Sequence, residues 1–314
     1  MYHYKAEFVA YRRGRSKGVG MAALAQFDLV LAKALRQRDL STIVLRVLTY
    51  LALIVGGGLF MLPALWMLTT AFKTYAEAEQ FPPVWLPTTI QLSNFTKPFQ
   101  ELPFLTFYFN TIKITVISII GVLVSCTPVA FAFARLSFRG RNPLFALVLA
   151  TMMIPDQATL VPVYVFFAKL GWTNTILPLT VPSFFAVDAF TIFLLRQFFM
   201  TIPRDLDDAC KIDGGGPLVL LLRVIIPLSM PVFGVVTILQ FVGRWNDFFG
   251  PLVYLNTLEN YTVSLGLRLF QTRYIVETNT MMAMAPLAAL PTIVLFFLAQ
   301  RYFIRGVVLT GVNR

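Results

Sequence analysis

Four aspartates, Asp205, Asp207, Asp208 and Asp213, fall within nine residues and run straight into Gly214, Gly215 and Gly216. Carboxylates at this density can meet arginines on another surface through charge-assisted hydrogen bonds. The companions that catalysis needs are missing. His3 is the single histidine, so a histidine-dependent zinc site or nucleophilic triad cannot be assembled. No serine or cysteine stands beside a base. The glycine clusters Gly56–Gly58 and Gly214–Gly216 lack the lysine and hydroxyl of a phosphate-binding loop. The sequence therefore shows no chemistry of its own, and uphill work would draw on a partner or an ion gradient.

A second set is scattered through apolar surroundings: Asp156, Gln157, Tyr164, Asp188, Trp245, Asn246 and Asp247. An ionisable residue within a membrane span is a functional-site hypothesis by default. Polar groups beside aromatic side chains suit a path for a polar solute. Structural roles stand beside that reading: Asp156 can cap a helix broken at Pro155, and Trp245 with Asp247 can anchor at the membrane interface.

The elements that hold these residues are membrane helices. The chain has 314 residues, is 57% hydrophobic and 13% charged, and has a mean hydropathy of +0.73; soluble domains carry about 25% charged residues. Six stretches approach the roughly 20 apolar residues that cross a bilayer: 47–72, 112–134, 143–167, 175–195, 224–243 and 281–304. Prolines and aspartates interrupt the third and fourth, a pattern tolerated where neighbours satisfy the freed carbonyls. With the N-terminus inside, the cytoplasmic segments 1–46, 135–142, 196–223 and 301–314 hold 19 of the 26 Lys and Arg residues, and the rest of the chain holds 7. That bias places both termini in the cytoplasm and accounts for the net charge of +11 without nucleic acid. The run 47–72 lacks a cleavage pattern and reads as a retained span rather than a signal. Cys126 and Cys210 lie too far apart in sequence to suggest a disulfide framework.

The chain divides into a basic tail, 1–46, with a candidate interfacial helix at 21–40; a first span and extracytoplasmic loop, 47–103; a core with five spans, 104–304; and a cytoplasmic tail, 305–314. Within the core, the cytoplasmic loop 196–223 is the distinctive part. Thr201 and Pro203 suit a helix start. Asp205, Asp207 and Asp208 suit its positive end, and Gly214–Gly216 stop it. Pro217 then starts a second helix that Pro227 and Pro231 bend. The prediction is a short helix of roughly ten residues, a hinge, and a return into the membrane. Small Ala209 lets a partner approach closely.

This stretch resembles the EAA loop of binding-protein-dependent ABC importer permeases. The family's Glu-Ala-Ala, two residues, Asp-Gly-Ala reads here Asp208-Ala209-Cys210, Lys211-Ile212, Asp213-Gly214-Gly215, and Pro227 and Pro231 stand where its proline pair belongs. Three positions differ: Asp208 for Glu, Cys210 for Ala and Gly215 for Ala. "GRWNDFFGPLVYL" (243–255), "MIPDQATLVPVYVFFAKLGWTNT" (153–175) and "QRYFIRGVVLTGVNR" (300–314) resemble segments of the carbohydrate type, of the maltose-system kind. The likeness covers most of 104–314.

The resemblance implies an all-α type I importer permease fold in a bacterial or archaeal cytoplasmic membrane. It implies pairing with a second, related permease. Two ATPase subunits would carry ATP and magnesium, while this chain binds no cofactor. An extracytoplasmic binding protein would deliver a sugar. The short helix, about 203–212, would dock on an ATPase through Asp208, Ala209, Asp213 and Gly214, with Arg204 in support. Another small polar solute such as glycerol phosphate, an ion-coupled carrier and a membrane scaffold are the alternatives. No Lys or Arg is read at mid-membrane, which speaks against a phosphate. No convincing inverted repeat is seen, which speaks against a carrier.

Overall fold

The computed structural model describes residues 20–270 and 277–308, with backbone alone for 20–41, 299–308 and Asp156. Residues 1–19 of the basic tail, Arg273 and the last part of the C-terminal resemblance, 309–314, lie outside the described residues. Every regular element among those described is helical. The chain divides after Leu65 into two compact units.

Helix α1 (Gly20–Ala71) carries the unit boundary. The candidate interfacial stretch 21–40 is helical and runs without a break into the first span. In the first unit, Ile43, Val44, Leu45 and Phe60 are exposed, an apolar surface suited to lipid or another protein.

In the second unit the elements are α2 (Tyr75–Glu79), α3 (Ser93–Glu101), α4 (Phe104–Arg135), α5 (Arg141–Thr151), α6 (Asp156–Lys169), α7 (Leu177–Thr180) and α8 (Ala189–Thr201). Then come α9 (Asp205–Ile212), α10 (Pro217–Val219), α11 (Ile226–Leu228), α12 (Met230–Trp245), α13 (Phe249–Tyr254), α14 (Val263–Leu267) and α15 (Thr278–Val308).

Four stretches are long and apolar enough to cross a membrane: Thr42–Ala71, Phe104–Arg135, Leu177–Thr201 and Thr278–Leu298. Pro217–Leu228 with Met230–Trp245 makes a fifth, bent by 76° at Ser229. The bend follows the sequence: Pro227 and Pro231 remove donors on either side of it. A π-helical stretch, Leu220–Ile225, precedes it. The expected third span, 143–167, differs. It is split into α5 and α6, of 11 and 14 residues, which reach only roughly 16 and 21 Å at 1.5 Å per residue. Pro155 forces the break, because it disfavours helix at the residue before it and takes an extended ψ of 137° itself. By length and composition alone the described residues hold four such helices, or five with the bent pair, and 143–167 is not one continuous helix.

Helix α4 is the hub. Its face of Val122, Cys126, Ala130 and Ala134 packs on Ile192, Leu195 and Phe199 of α8, and on Val232 and Val236 of α12. Gly121 permits a close approach: a Cβ there would lie 2.8 Å from Phe184. Small residues serve helix packing in membranes this way. The span Leu177–Thr201 breaks at Ala186, which has φ +52°. Hydroxyls on α4 reach the carbonyls near that break. Ser118 Oγ donates to Leu179 O at 3.2 Å and Ser125 Oγ to Ser183 O at 2.8 Å. Backbone groups in lipid must be satisfied internally, and these two serines contribute to that at the broken span.

Candidate functional site

The loop after α8 folds as a short helix with both ends defined. Helix α9 starts at Asp205, with Arg204 at the cap position and no side-chain cap bond. This corrects the expected cap: Thr201 is the last residue of α8, and its hydroxyl donates back to Phe198 O at 2.7 Å. A hydroxyl satisfied by its own helix cannot cap the next one. Pro203 lies ahead of α9, so the helix has 8 residues, 205–212, not the broader 203–212. Asp205, Asp207 and Asp208 occupy its first turn, where the helix dipole favours negative charge.

The far end is a Schellman motif. Gly215 N donates to Cys210 O at 2.7 Å and Gly214 N to Lys211 O at 3.0 Å. Gly214 has φ +78°, the left-handed conformation that glycine adopts without strain. A Cβ on Gly214 would meet nothing within 4 Å. Gly215 is confined differently: a Cβ there would lie 2.5 Å from Cys210 Sγ and 2.9 Å from Cys210 O. The two small-residue departures, Cys210 and Gly215, therefore belong together. The sulfur fills the space that a methyl at 215 would take.

All five expected coupling residues, Arg204, Asp208, Ala209, Asp213 and Gly214, are exposed and close together on this loop. Asp208 accepts from Lys211 at 3.0 Å across the surface, a pair worth about 0–1 kcal/mol. Sequence reasoning missed two features. Ile212 is 86% exposed, a large apolar side chain offered at the helix's end. Asp207, treated as one more acid, turns inward to Arg135. Its spacing from Asp208, which places neighbours about 100° apart on a helix, was the available signal.

The residues named for a solute path are spread out, and several have structural partners. Asp188 caps α8, accepting from Thr191 N at 2.8 Å, and also bonds Gln240 of α12. Trp245 is buried rather than at an interface; its indole donates to Ala288 O at 2.9 Å and stacks on Phe241. Asp247 accepts from Gly250 N at 3.1 Å at the start of α13, and Asn246 is exposed and donates to Val242 O. Tyr164 stacks on Tyr254 with ring centroids 6.0 Å apart. Gln157 is exposed on α6, and the Asp156 side chain lies outside the described residues. These residues do not form one pocket. Arg244, not singled out from the sequence, lies one turn beyond Gln240, with Nη2 3.4 Å from Ser183 Oγ. Among the described ion pairs none includes it.

The loop between α1 and α4 is knitted by side chains. Lys73 is fully buried with its ammonium 3.9 Å from the Trp66 ring centroid. Asn94 donates to Ala71 O and Lys73 O, both at 2.9 Å, and Asn279 donates to Asn94 Oδ1 at 3.0 Å. Glu77 closes a capping box with Thr74 and also bonds Thr88 through its amide and hydroxyl. The Thr88 hydroxyl, then the Thr74 and Thr88 amides, hold the Glu77 carboxyl down to about 2 from its ordinary 4.5. A carboxyl depressed on folding contributes stability above its unfolded value, and that stability is lost as pH falls through the folded one. The Thr88 side of the loop is therefore expected to loosen as pH drops from 4.5 to about 2. Trp66 and Trp85 sit edge to face at 5.2 Å and report on it. The fluorescence of the native chain should change across that window, and Glu77→Gln should remove the change.

Elsewhere in the second unit, Asn174 takes φ +59°, and its Oδ1 accepts from Asn256 N, Thr257 N and Thr257 Oγ1 at 3.0 to 3.2 Å. Asparagine tolerates the left-handed region. The asparagine of "LGWTNT" is thus the clasp of the 255–260 loop.

An all-helical chain with several apolar spans and a short amphipathic helix between two of them has the architecture of a multi-pass membrane permease subunit. Residues 126–309 match the family described as binding-protein-dependent transport system inner membrane component. The chain belongs to that family, as a multi-pass permease subunit in the cytoplasmic membrane. It is 32% identical over 228 residues to the arabinooligosaccharides transport system permease protein AraQ of Halalkalibacterium halodurans, covering 72% of this chain and 81% of that one. It is 30% identical over 244 residues to the diacetylchitobiose uptake system permease protein DasC of Streptomyces coelicolor, covering 78% and 88%. A crystal structure of a bacterial ABC transporter involved in import of the acidic polysaccharide alginate matches with a TM-score of 0.69 at 25% identity, covering 85% of this chain and 98% of that one.

Proposed function

We propose that this permease moves a sugar or oligosaccharide inward, delivered by an extracytoplasmic binding protein and driven by ATP hydrolysis on partner subunits. The observation that carries the reading is α9: an eight-residue helix, capped by a Schellman turn, with Asp208, Ala209, Ile212, Asp213 and Gly214 exposed. An apolar anchor ringed by charges is how a small docking surface gains both affinity and orientation. A second, related permease completes the path, two ATPases bind ATP and magnesium, and Arg204 supports the contact. Closure of the ATPases would displace α9, and the spans would follow as rigid bodies. The relatives' named cargoes, arabinooligosaccharides and diacetylchitobiose, support a sugar. The test is to purify the native chain with its companions, reconstitute them in liposomes, and measure ATP-dependent uptake of labelled oligosaccharides with the binding protein added. Uptake that ignores ATP and follows an ion gradient would overturn the reading in favour of a carrier.

A second reading, that the solute carries an anionic group, rests on Arg244. A guanidinium stays charged in any protein environment, and beside the broken span the polar side chain it meets is the Ser183 hydroxyl, a neutral partner. Arg244→Gln is expected to lower uptake of an acidic oligosaccharide by about tenfold, since a charged hydrogen bond is worth roughly 1.5–3 kcal/mol, and to leave a neutral one within twofold. Equal losses for both would sink the anionic reading.

A further inference from the structure

Arg135, the last residue of α4, reaches three successive pieces of the chain with one guanidinium. Its Nη1 lies 3.0 Å from Asp207 Oδ1 and 3.1 Å from Oδ2 in the first turn of α9. Its Nη2 donates to Phe199 O, near the end of α8, at 2.5 Å and to Ile202 O, in the link before α9, at 2.6 Å. The side chains of Arg135 and Asp207 are 2% and 11% exposed. Asp207 is the only buried residue of α9, and Cys210 alone of the others is half-buried, packed against the α4–α8 cluster. The short helix is therefore attached to the body chiefly by a charge, not by an apolar face.

The chemistry of that attachment is directional. A guanidinium is planar and permanently charged, and its fork matches a carboxylate at two points. The other arm of the same plane takes the carbonyls that end α8. Rotating or lifting α9 alone would leave two buried charges apart, whereas moving α9 together with the inner ends of α4 and α8 leaves every bond intact. The loop has its freedom elsewhere, in Gly214 at φ +78° and at the 76° bend beyond it. We propose that Arg135 is a positioning residue for energy coupling: through Asp207 it makes the docking helix move as one body with the inner ends of α4 and α8. The proposal rests on the reading that α9 meets an ATPase.

The test uses the native complex in liposomes, with uptake and ATP hydrolysis measured together. Asp207→Asn keeps the shape and removes the charge; Arg135→Lys keeps the charge and removes the fork. Both are expected to retain the ATPase and hydrolyse ATP within about twofold of native, while solute moved per ATP falls at least tenfold. Asp207→Glu should recover part of the ratio, since it restores the charge. A purely structural bond would reduce the amount of inserted chain and leave the ratio unchanged, and that result overturns the proposal. Should the variants fail to insert, spin labels on the otherwise native chain at Ser137 and Lys211, both exposed, give a second measure. One distance distribution with and without trapped ATP is expected; a shift between the two states overturns the proposal. Absence of ATPase from the purified native chain would overturn the docking reading itself. ATPase recovered normally, with an unchanged ratio in Asp207→Asn, overturns the Arg135 proposal alone.

Discussion

Gly215→Ala is expected to cut ATP-driven uptake at least about tenfold, and Cys210→Ala in the same chain to recover most of the loss. The added methyl would sit 2.5 Å from Cys210 Sγ and 2.9 Å from Cys210 O. Overpacking a tight site costs about 1–3 kcal/mol, and each 1.4 kcal/mol is about a factor of ten in an equilibrium. Here the equilibrium is between an intact and a frayed end of α9, because the crowded carbonyl is the one that Gly215 N binds at 2.7 Å. Removing the sulfur relieves the shorter contact and leaves the carbonyl contact, so recovery should be large but incomplete. Measuring uptake for the two single variants and the double variant checks this. If the effects simply add, with no rescue, the two positions are not coupled and the size-exchange account is wrong.

Gly214→Val is expected to abolish uptake while the chain inserts normally, and Gly214→Asn to keep most of it. No neighbour lies within 4 Å of the position a Cβ would take, so packing is not the issue. The backbone is: φ +78° is a left-handed conformation, costing an ordinary L residue roughly 1–2 kcal/mol and more of an outlier still for a β-branched one. Asparagine visits this region readily. The ranking Gly, Asn, Val in uptake, at equal amounts of chain in the membrane, is the measurement. Equal uptake by all three would show that the turn tolerates a right-handed path.

Much of this architecture is legible in the residues. Composition and charge asymmetry give an all-helical membrane protein, and Pro217, Pro227 and Pro231 announce the bent return helix that the structure shows at Ser229. The positive φ of Gly214 follows from a glycine run after a capped helix. Two things were hidden. The segment 143–167 has the composition of a span, but its continuity depends on how the backbone passes Pro155, a local geometric matter that an apolar average smooths away. The different fates of Asp207 and Asp208 depend on Arg135, 72 residues earlier in the chain, and no local pattern carries a tertiary pairing. The local partners of the polar residues in the spans were hidden for a related reason: that Asp188 accepts from Thr191 N and Trp245 donates to Ala288 O depends on tertiary packing.

The serines on α4 bear on how this chain enters the membrane. Carbonyls in lipid need partners, and Ser118 and Ser125 supply hydroxyls to two in the broken span, at Leu179 and Ser183. Sent into the bilayer alone, 177–201 would carry that burden unaided. Because α4 comes earlier in the chain, it is synthesised first and its hydroxyls are in place when the broken span arrives. The order of helices in the sequence is thus also an order of assembly, with one span serving as the receptor for a later one.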